Sequence, residues 1–226
     1  MVKLVFLCRR RPDLSREEYA DRLLHGHVPL ALRHHSTLRR YVVNLVEGTR
    51  GDVPTLDSIG ELWFDALTDF RERLYDSADG ERIIARDVAG FLGGADAYAT
   101  VEHVQRAPTT RPPLGTRTPG VKLFACITRR AAQSRTAFAH HWLTRHAPLA
   151  LAHHDTTAYV TNVVEERVSP SGADYDGFAE LSFPPSADLG AHLYRTPEGR
   201  AEVEADIPRF IGSVHAYHVG EYVQRW

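Results

Sequence analysis

The strongest constraint on this 226-residue chain is an internal repeat. Val2-Lys3-Leu4 recurs as Val121-Lys122-Leu123, Arg10-Arg11 as Arg129-Arg130 and Ser15-Arg16 as Ser134-Arg135, each 119 residues further on. At the same offset, the stretch from His27 through Pro29-Leu30 to His34-His35 returns as His146 through Pro148-Leu149 to His153-His154. After a one-residue slip Tyr41-Val-Val-Asn44 matches Tyr159-Val-Thr-Asn162, and Glu61-Leu-Trp-Phe64 then matches Glu180-Leu-Ser-Phe183. Two copies of one unit imply a module whose exposed apolar face is buried by its twin. Between them, residues 107–119 carry Pro108, Pro112, Pro113 and Pro119 and lose the apolar period, the composition of an extended linker. The expected organisation is a module over 1–106, a linker over 107–119 and a second module over 120–226.

Within the first module, Lys3 to Arg9 alternates as a strand does. Ser15 ahead of Glu17-Glu18 predicts a helix N-cap with acidic residues where the dipole favours them. Tyr19, Leu23 and Leu24 make the apolar stripe of that helix. Pro29 cannot sit deep in a helix, so a break near Gly26-His27 and a restart are expected. Tyr41–Glu47 and Ile59–Phe64 read as strands, residues 70–91 as one or two helical pieces, and Tyr98–Gln105 as the last strand. The order βαββαβ gives an antiparallel sheet with helices on one face, an α+β fold. The second copy is expected to cover the other face, sheet against sheet.

Composition narrows the function. With 43% apolar and 25% charged residues the chain buries a core, and a net charge of -2 supplies no field for nucleic acid or an anionic membrane. No segment approaches the roughly 20 apolar residues of a membrane-spanning helix. The apolar run Val2–Cys8 leads into Arg9-Arg10-Arg11, the wrong order for a secretory signal, so a cytoplasmic protein is expected. Cys8 and Cys126 read as two small buried hydrophobes. Neither a glycine-rich dinucleotide loop, nor a phosphate-binding loop, nor a Gly-x-Ser-x-Gly elbow is present, and no cofactor is expected.

His27 and His146 are the leading catalytic candidates. Each precedes a helix-restarting proline by two residues, where the positive end of the new segment would favour the neutral imidazole that accepts a proton at pH 7. A histidine that merely fixes the bend is the alternative. His34, His35, His153 and His154 end the same segments, and since residues seven or eight apart share a helix face, one of each pair is expected to face inward as a substrate contact. Their place at helix C-termini explains them equally well. No carboxylate or cysteine lies at ligand spacing, so no metal is expected. Asn44 and Asn162 sit in strands that favour β-branched residues. A buried amide needs partners, and one holding a carbonyl or enolate oxygen would complement a histidine base. Tyr41 and Tyr159 take the opposite face of those strands and are expected to pack. Glu61 and Glu180 are candidates to orient a histidine or act as acids, against the alternative of a solvated or barrel-edge carboxylate. Trp63, replaced by Ser182, and Trp142, replacing Leu23, imply substrate pockets of different shape in the two halves.

The paired elements Lys-Leu-x-x-x-x-x-Arg-Arg, Ser-Arg-x-x-[Tyr/Phe], His-x-Pro-Leu, Tyr-x-x-Asn and Glu-Leu-x-Phe, with Glu102-x-x-Gln105 and Glu221-x-x-Gln224, resemble the EthD family of dimeric α+β barrel proteins. The resemblance implies two ferredoxin-like modules forming an intrachain barrel, a pocket between sheet and helices, and His27 or His146 as its polar residue. Relatives of that family include fungal dehydratases, polyketide cyclases and small monooxygenases. The expectation is a cofactor-independent cyclase or dehydratase, a lyase or isomerase acting on a hydrophobic, oxygenated, polyketide-like intermediate. A haem-dependent or cofactor-free monooxygenase and a non-catalytic carrier of an apolar ligand are the alternatives. The expected partner is a small molecule, with no nucleic acid or membrane, and pairing of two-module chains into a homodimer stays open.

Overall fold

The computed structural model describes residues 1–109, 111–187 and 193–226. In the first module β1 (Val2–Arg10), α1 (Arg16–Asp21), α2 (Val28–His34), β2 (Arg40–Arg50), β3 (Ser58–Phe64), α3 (Leu67–Glu72), α4 (Ala78–Phe91) and β4 (Leu92–Arg106) follow in order. The second repeats this as β5 (Val121–Arg129), α5 (Arg135–His141), α6 (Ala147–His153), β6 (Ala158–Arg167), β7 (Gly177–Phe183), α7 (Pro197–Asp206) and β8 (Ile211–Arg225). All pairings are antiparallel, and the strands close into one barrel in the order β1-β3-β2-β8-β5-β7-β6-β4.

This is the intrachain barrel that the family resemblance implied, and strand length closes it. β4 and β8 are 15 residues each. One part of β4 pairs with β1 of its own module, and the stretch from Tyr98 to Arg106 pairs with β6 of the other. β8 does the same between β5 and β2. The edges that would otherwise expose unpaired N–H and C=O groups are thereby zipped together.

Strand alternation then sorts the side chains into layers. Leu4, Tyr41, Val43, Leu62 and Phe64 face the helices and pack on Tyr19, Leu23, Ala31 and Phe91. Val5, Leu7, Ile59 and Tyr98 face inward and meet Phe124, Phe178 and Tyr217 from the second module. Leu123, Tyr159 and Leu181 pack on Phe138, Trp142 and Phe210 under the second helix layer. Cys8 is half-buried on the helix face, whereas Cys126 is fully buried inside the barrel.

One end of the barrel interior is ionic. The Lys3 ammonium contacts Glu61 and Glu180 and lies 3.3 Å from Glu102. Lys122 lies 2.7 Å from Glu180, 2.8 Å from Glu221 and 3.0 Å from Glu61. Burial alone would lower the Lys3 pKa, but Glu180, Glu61 and Glu102 more than offset it and push it up to about 12. Burial likewise opposes ionisation of Glu180, yet the two lysines hold its carboxyl below the usual carboxylate range. The network joins both modules through groups that would each be costly to bury alone.

Ser15 caps α1 as expected: its hydroxyl accepts from the Glu18 N–H at 3.1 Å while the Glu18 carboxylate accepts from the Ser15 N–H at 2.8 Å. The expected break at Gly26-His27 does not occur. Residues Arg22–His27 form a π-helical turn that passes directly into α2, with the Val28 N–H donating to the Leu23 carbonyl and Pro29 in the first turn. The wider i→i+5 spacing accommodates a proline that an unbroken α-helix would not. Trp142–His146 repeats the device. No helix among the described residues is long and apolar enough to cross a membrane.

Candidate functional site: two cavities between sheet and helices

The π-turn aims His27 back at the sheet. There it borders a cavity of about 260 Å³ whose walls come from β1, β2, β3 and β4 on one side and α1, the π-turn, α3 and α4 on the other, with His35 just past the end of α2. Tyr19, Leu23, Tyr41, Val43, Leu62, Phe70, Leu74 and Phe91 give it an apolar surface, and His27, His35, Ser58 and Tyr75 supply the polar points. The His27 Nδ1 lies 2.8 Å from the Asp87 carboxylate on α4, and its ring packs on Phe91 at 5.2 Å. The carboxylate can only accept, so Nδ1 carries the hydrogen and Nε2 the lone pair. Burial lowers the His27 pKa despite the opposing pull of Asp87, so the ring is neutral at pH 7. That state follows from burial rather than from a helix N-terminus, because the π-turn leaves no terminus there.

His35, eight residues on, faces the same cavity. Both its ring nitrogens are buried without a partner, and burial pushes its pKa down to about 4. His34 points the other way, 3.1 Å from Asp76 and tight against Gly80, where a Cβ would stand 2.9 Å from its Nδ1.

The second cavity, about 350 Å³, lies at the equivalent place. His146 Nδ1 lies 3.0 Å from Asp206, but His141 Nε2 lies 3.0 Å from the same carboxylate. The His154 Nδ1 donates to the Leu193 carbonyl at 2.7 Å and its ring stacks on Tyr194. Trp142 lines this cavity and donates its indole N–H to the Tyr159 hydroxyl at 3.2 Å. His153 turns outward to Glu202.

The structure does not bring the expected asparagines to these histidines. Asn44 and Asn162 belong to the inward face of β2 and β6, where each amide donates to a glutamate, Glu61 at 2.6 Å and Glu180 at 2.8 Å. Glu61, Glu180 and Trp63 share that interior face; the Trp63 ring lies 4.6 Å from the Lys3 ammonium. The sheet separates all five from both cavities, so the proposed pairing of imidazole and strand amide is corrected. Tyr41 and Tyr159, expected only to pack, line the cavities instead. Asp87 and Asp206 went unrecognised in the sequence, although they stand 119 residues apart and four residues before the matching Phe91 and Phe210.

Among the described residues no group of three or more metal-ligating side chains is assembled. The first cavity falls just below the roughly 300 to 1,000 Å³ of pockets that enclose drug-sized ligands. A porphyrin does not fit in that space.

The sequence profile of the EthD domain matches residues 11–95 and 130–213. The chain belongs to the EthD family, and both copies carry the domain. No curated protein matches it by sequence. Among solved structures it is similar to an anthrone oxidase-like protein, with a TM-score of 0.65 at 9% identity, covering 99% of this chain and 92% of that one. A "putative monooxygenase" from Fusobacterium nucleatum subsp. nucleatum gives 0.62 at 8% identity over 99% and 94% of the two chains. Another from Lactobacillus acidophilus gives 0.53 at 10% identity over 99% and 96%. At such identities the likeness is one of fold: the α+β barrel is a shared scaffold, and function has to be argued from the site.

Proposed function

We propose that the protein is a cofactor-independent acid–base enzyme that moves a proton next to the carbonyl of a hydrophobic, oxygenated small molecule, in the manner of a cyclase or dehydratase. The observation that carries this reading is a neutral histidine, oriented through Nδ1 by a carboxylate, bordering an apolar cavity in each half of the chain. Such a ring offers an Nε2 lone pair as general base, and the carboxylate stabilises the imidazolium that forms. In the first cavity His35 is a second neutral imidazole, placed to return the proton at another carbon or oxygen. Aldol-type ring closure and loss of water both need that pair of transfers. A polyketide-like intermediate has the required acidic C–H bonds and carbonyls.

A concrete probe is 2-tetralone, a compact bicyclic ketone. The protein is expected to catalyse exchange of its α-hydrogens with deuterated water, followed by NMR, and His27→Ala with His146→Ala to reduce the rate about 10²- to 10⁴-fold. A wild-type rate no higher than that of free imidazole at the same concentration would refute the reading.

The same deprotonation opens a second reading. A carbanion made in an apolar cavity can pass electrons to molecular oxygen, converting a CH₂ group to C=O with release of one water. The names of the anthrone oxidase-like and monooxygenase neighbours favour testing it. Oxygen uptake with anthrone, lost in the same double variant, would select this outcome over simple proton transfer.

A further inference from the structure

The two cavities descend from one repeat, yet three linked exchanges make them chemically unlike. On the sheet side of the first, the Tyr19 hydroxyl and Ser58 Oγ hydrogen-bond at 2.7 Å, both buried. The residues 119 positions on are Phe138 and Gly177. Leu23 becomes Trp142, whose indole fills the space that a side chain at 177 would need: a Cβ there would stand 2.2 Å from the ring. The bulky indole requires the glycine. Without a serine, a tyrosine at 138 would lose this partner. Trp142 also engages the Tyr159 hydroxyl, whereas Leu23 offers no donor to Tyr41. At these positions the first cavity thus keeps three hydroxyls and the second keeps one, already bonded, while Tyr75 and Tyr194 line both cavities alike.

The Tyr19–Ser58 pair holds two O–H hydrogens and uses one between its members. The other is not used within the pair; Ser58 stands opposite Cys8, whose thiol is a weak acceptor, and both members of the pair line the cavity. Burial holds the Tyr19 and Tyr41 phenols above their ordinary pKa, so both stay protonated and able to donate. The rings of Tyr19 and His27 pack on the same Phe91, at 5.7 and 5.2 Å, and both residues line the cavity with Ser58.

We propose that the first-module cavity is the one that takes substrate, an apolar ring compound bearing a carbonyl or phenolic oxygen. The Tyr19–Ser58 pair, with Tyr41, holds that oxygen. The second cavity, stripped of these donors, does not bind it. This deepens the acid–base reading and rests on it for the chemistry that follows binding.

The test compares 2-naphthol with naphthalene in titrations of the intact chain. A wild-type preference for 2-naphthol of about tenfold is expected, the size of one good hydrogen bond. Tyr19→Phe with Ser58→Ala should bring it to about twofold or less, with naphthalene binding unchanged, since hydrogen-bond donors add little to an apolar ligand. The first change copies the second module's own residue, so folding is retained; Tyr19→Phe alone serves if the pair does not fold. NMR signals of the His27 and His35 rings should shift on adding 2-naphthol, with those of His146 and His154 unmoved. An unchanged preference in the variant, or shifts confined to the second-module rings, overturns the proposal. If selectivity behaves as expected but 2-tetralone exchange is absent, the acid–base reading fails alone. If exchange persists while selectivity ignores Tyr19 and Ser58, only this inference fails.

Discussion

Asp87 turns His27 from a buried ring into an oriented one. Replacing it by Asn keeps the shape but allows the amide to donate to Nδ1, which puts the hydrogen on Nε2 and removes the base. Asp87→Asn is therefore expected to slow 2-tetralone exchange by about 10²-fold or more in the first cavity, with little change in probe affinity; exchange kinetics beside a binding titration check it. His35 makes a separate claim. Its folded pKa of about 4 lies below the ordinary 6.5, so its contribution to stability is complete above pH 6.5 and is lost as pH falls toward 4. The loss amounts to about 3 kcal/mol, taking 1.36 kcal/mol per pKa unit. Denaturant midpoints measured from pH 7 to 4 should flatten in His35→Leu. The histidines were legible in the sequence because their spacing to a proline repeats. Their carboxylate partners were not, since Asp87 and Asp206 lie some 60 residues away and only folding brings α4 and α7 against the π-turns.

At the level of elements, strand order, helix order and the N-cap at Ser15 could be read from periodicity and capping. The π-turn could not. Proline signals that an α-helix cannot continue, but a break and a widened turn satisfy that signal equally. The face of Asn44 was legible by parity with Tyr41; which face held the cavity was not, because each sheet buries both. Gly26 sits exposed in the π-turn with ordinary helical backbone and nothing within 4 Å of a Cβ, and Arg145 occupies the same place in the second module. Gly26→Ala should therefore stabilise the protein by about 0.5 to 1 kcal/mol. A lower midpoint in urea would contradict the turn geometry.

For the whole molecule, closure depends on strands shared between modules and on the Lys3, Lys122, Glu61 and Glu180 network inside the barrel. Lys3→Met leaves buried carboxylates undercompensated and should cost about 3 to 5 kcal/mol, read from chemical unfolding. Glu180 and Glu221 are held below the ordinary 4.5, so their contribution is present above that pH and disappears as pH falls further. In Lys3→Met the acid limb below pH 4.5 should be shallower. The repeat announced two modules plainly. That they close into one barrel followed from the family resemblance; how they close, through the extra length of β4 and β8, single-strand periodicity does not reveal.

Everything chemical depends on neutral imidazoles facing an apolar cavity, and nitrogen-detected NMR of the histidine rings across pH 4 to 8 addresses that directly. The account predicts His27 as the Nδ1–H tautomer at pH 7 and His35 unprotonated until about pH 4. A His27 hydrogen on Nε2, or a His35 that titrates near 6.5, would contradict it.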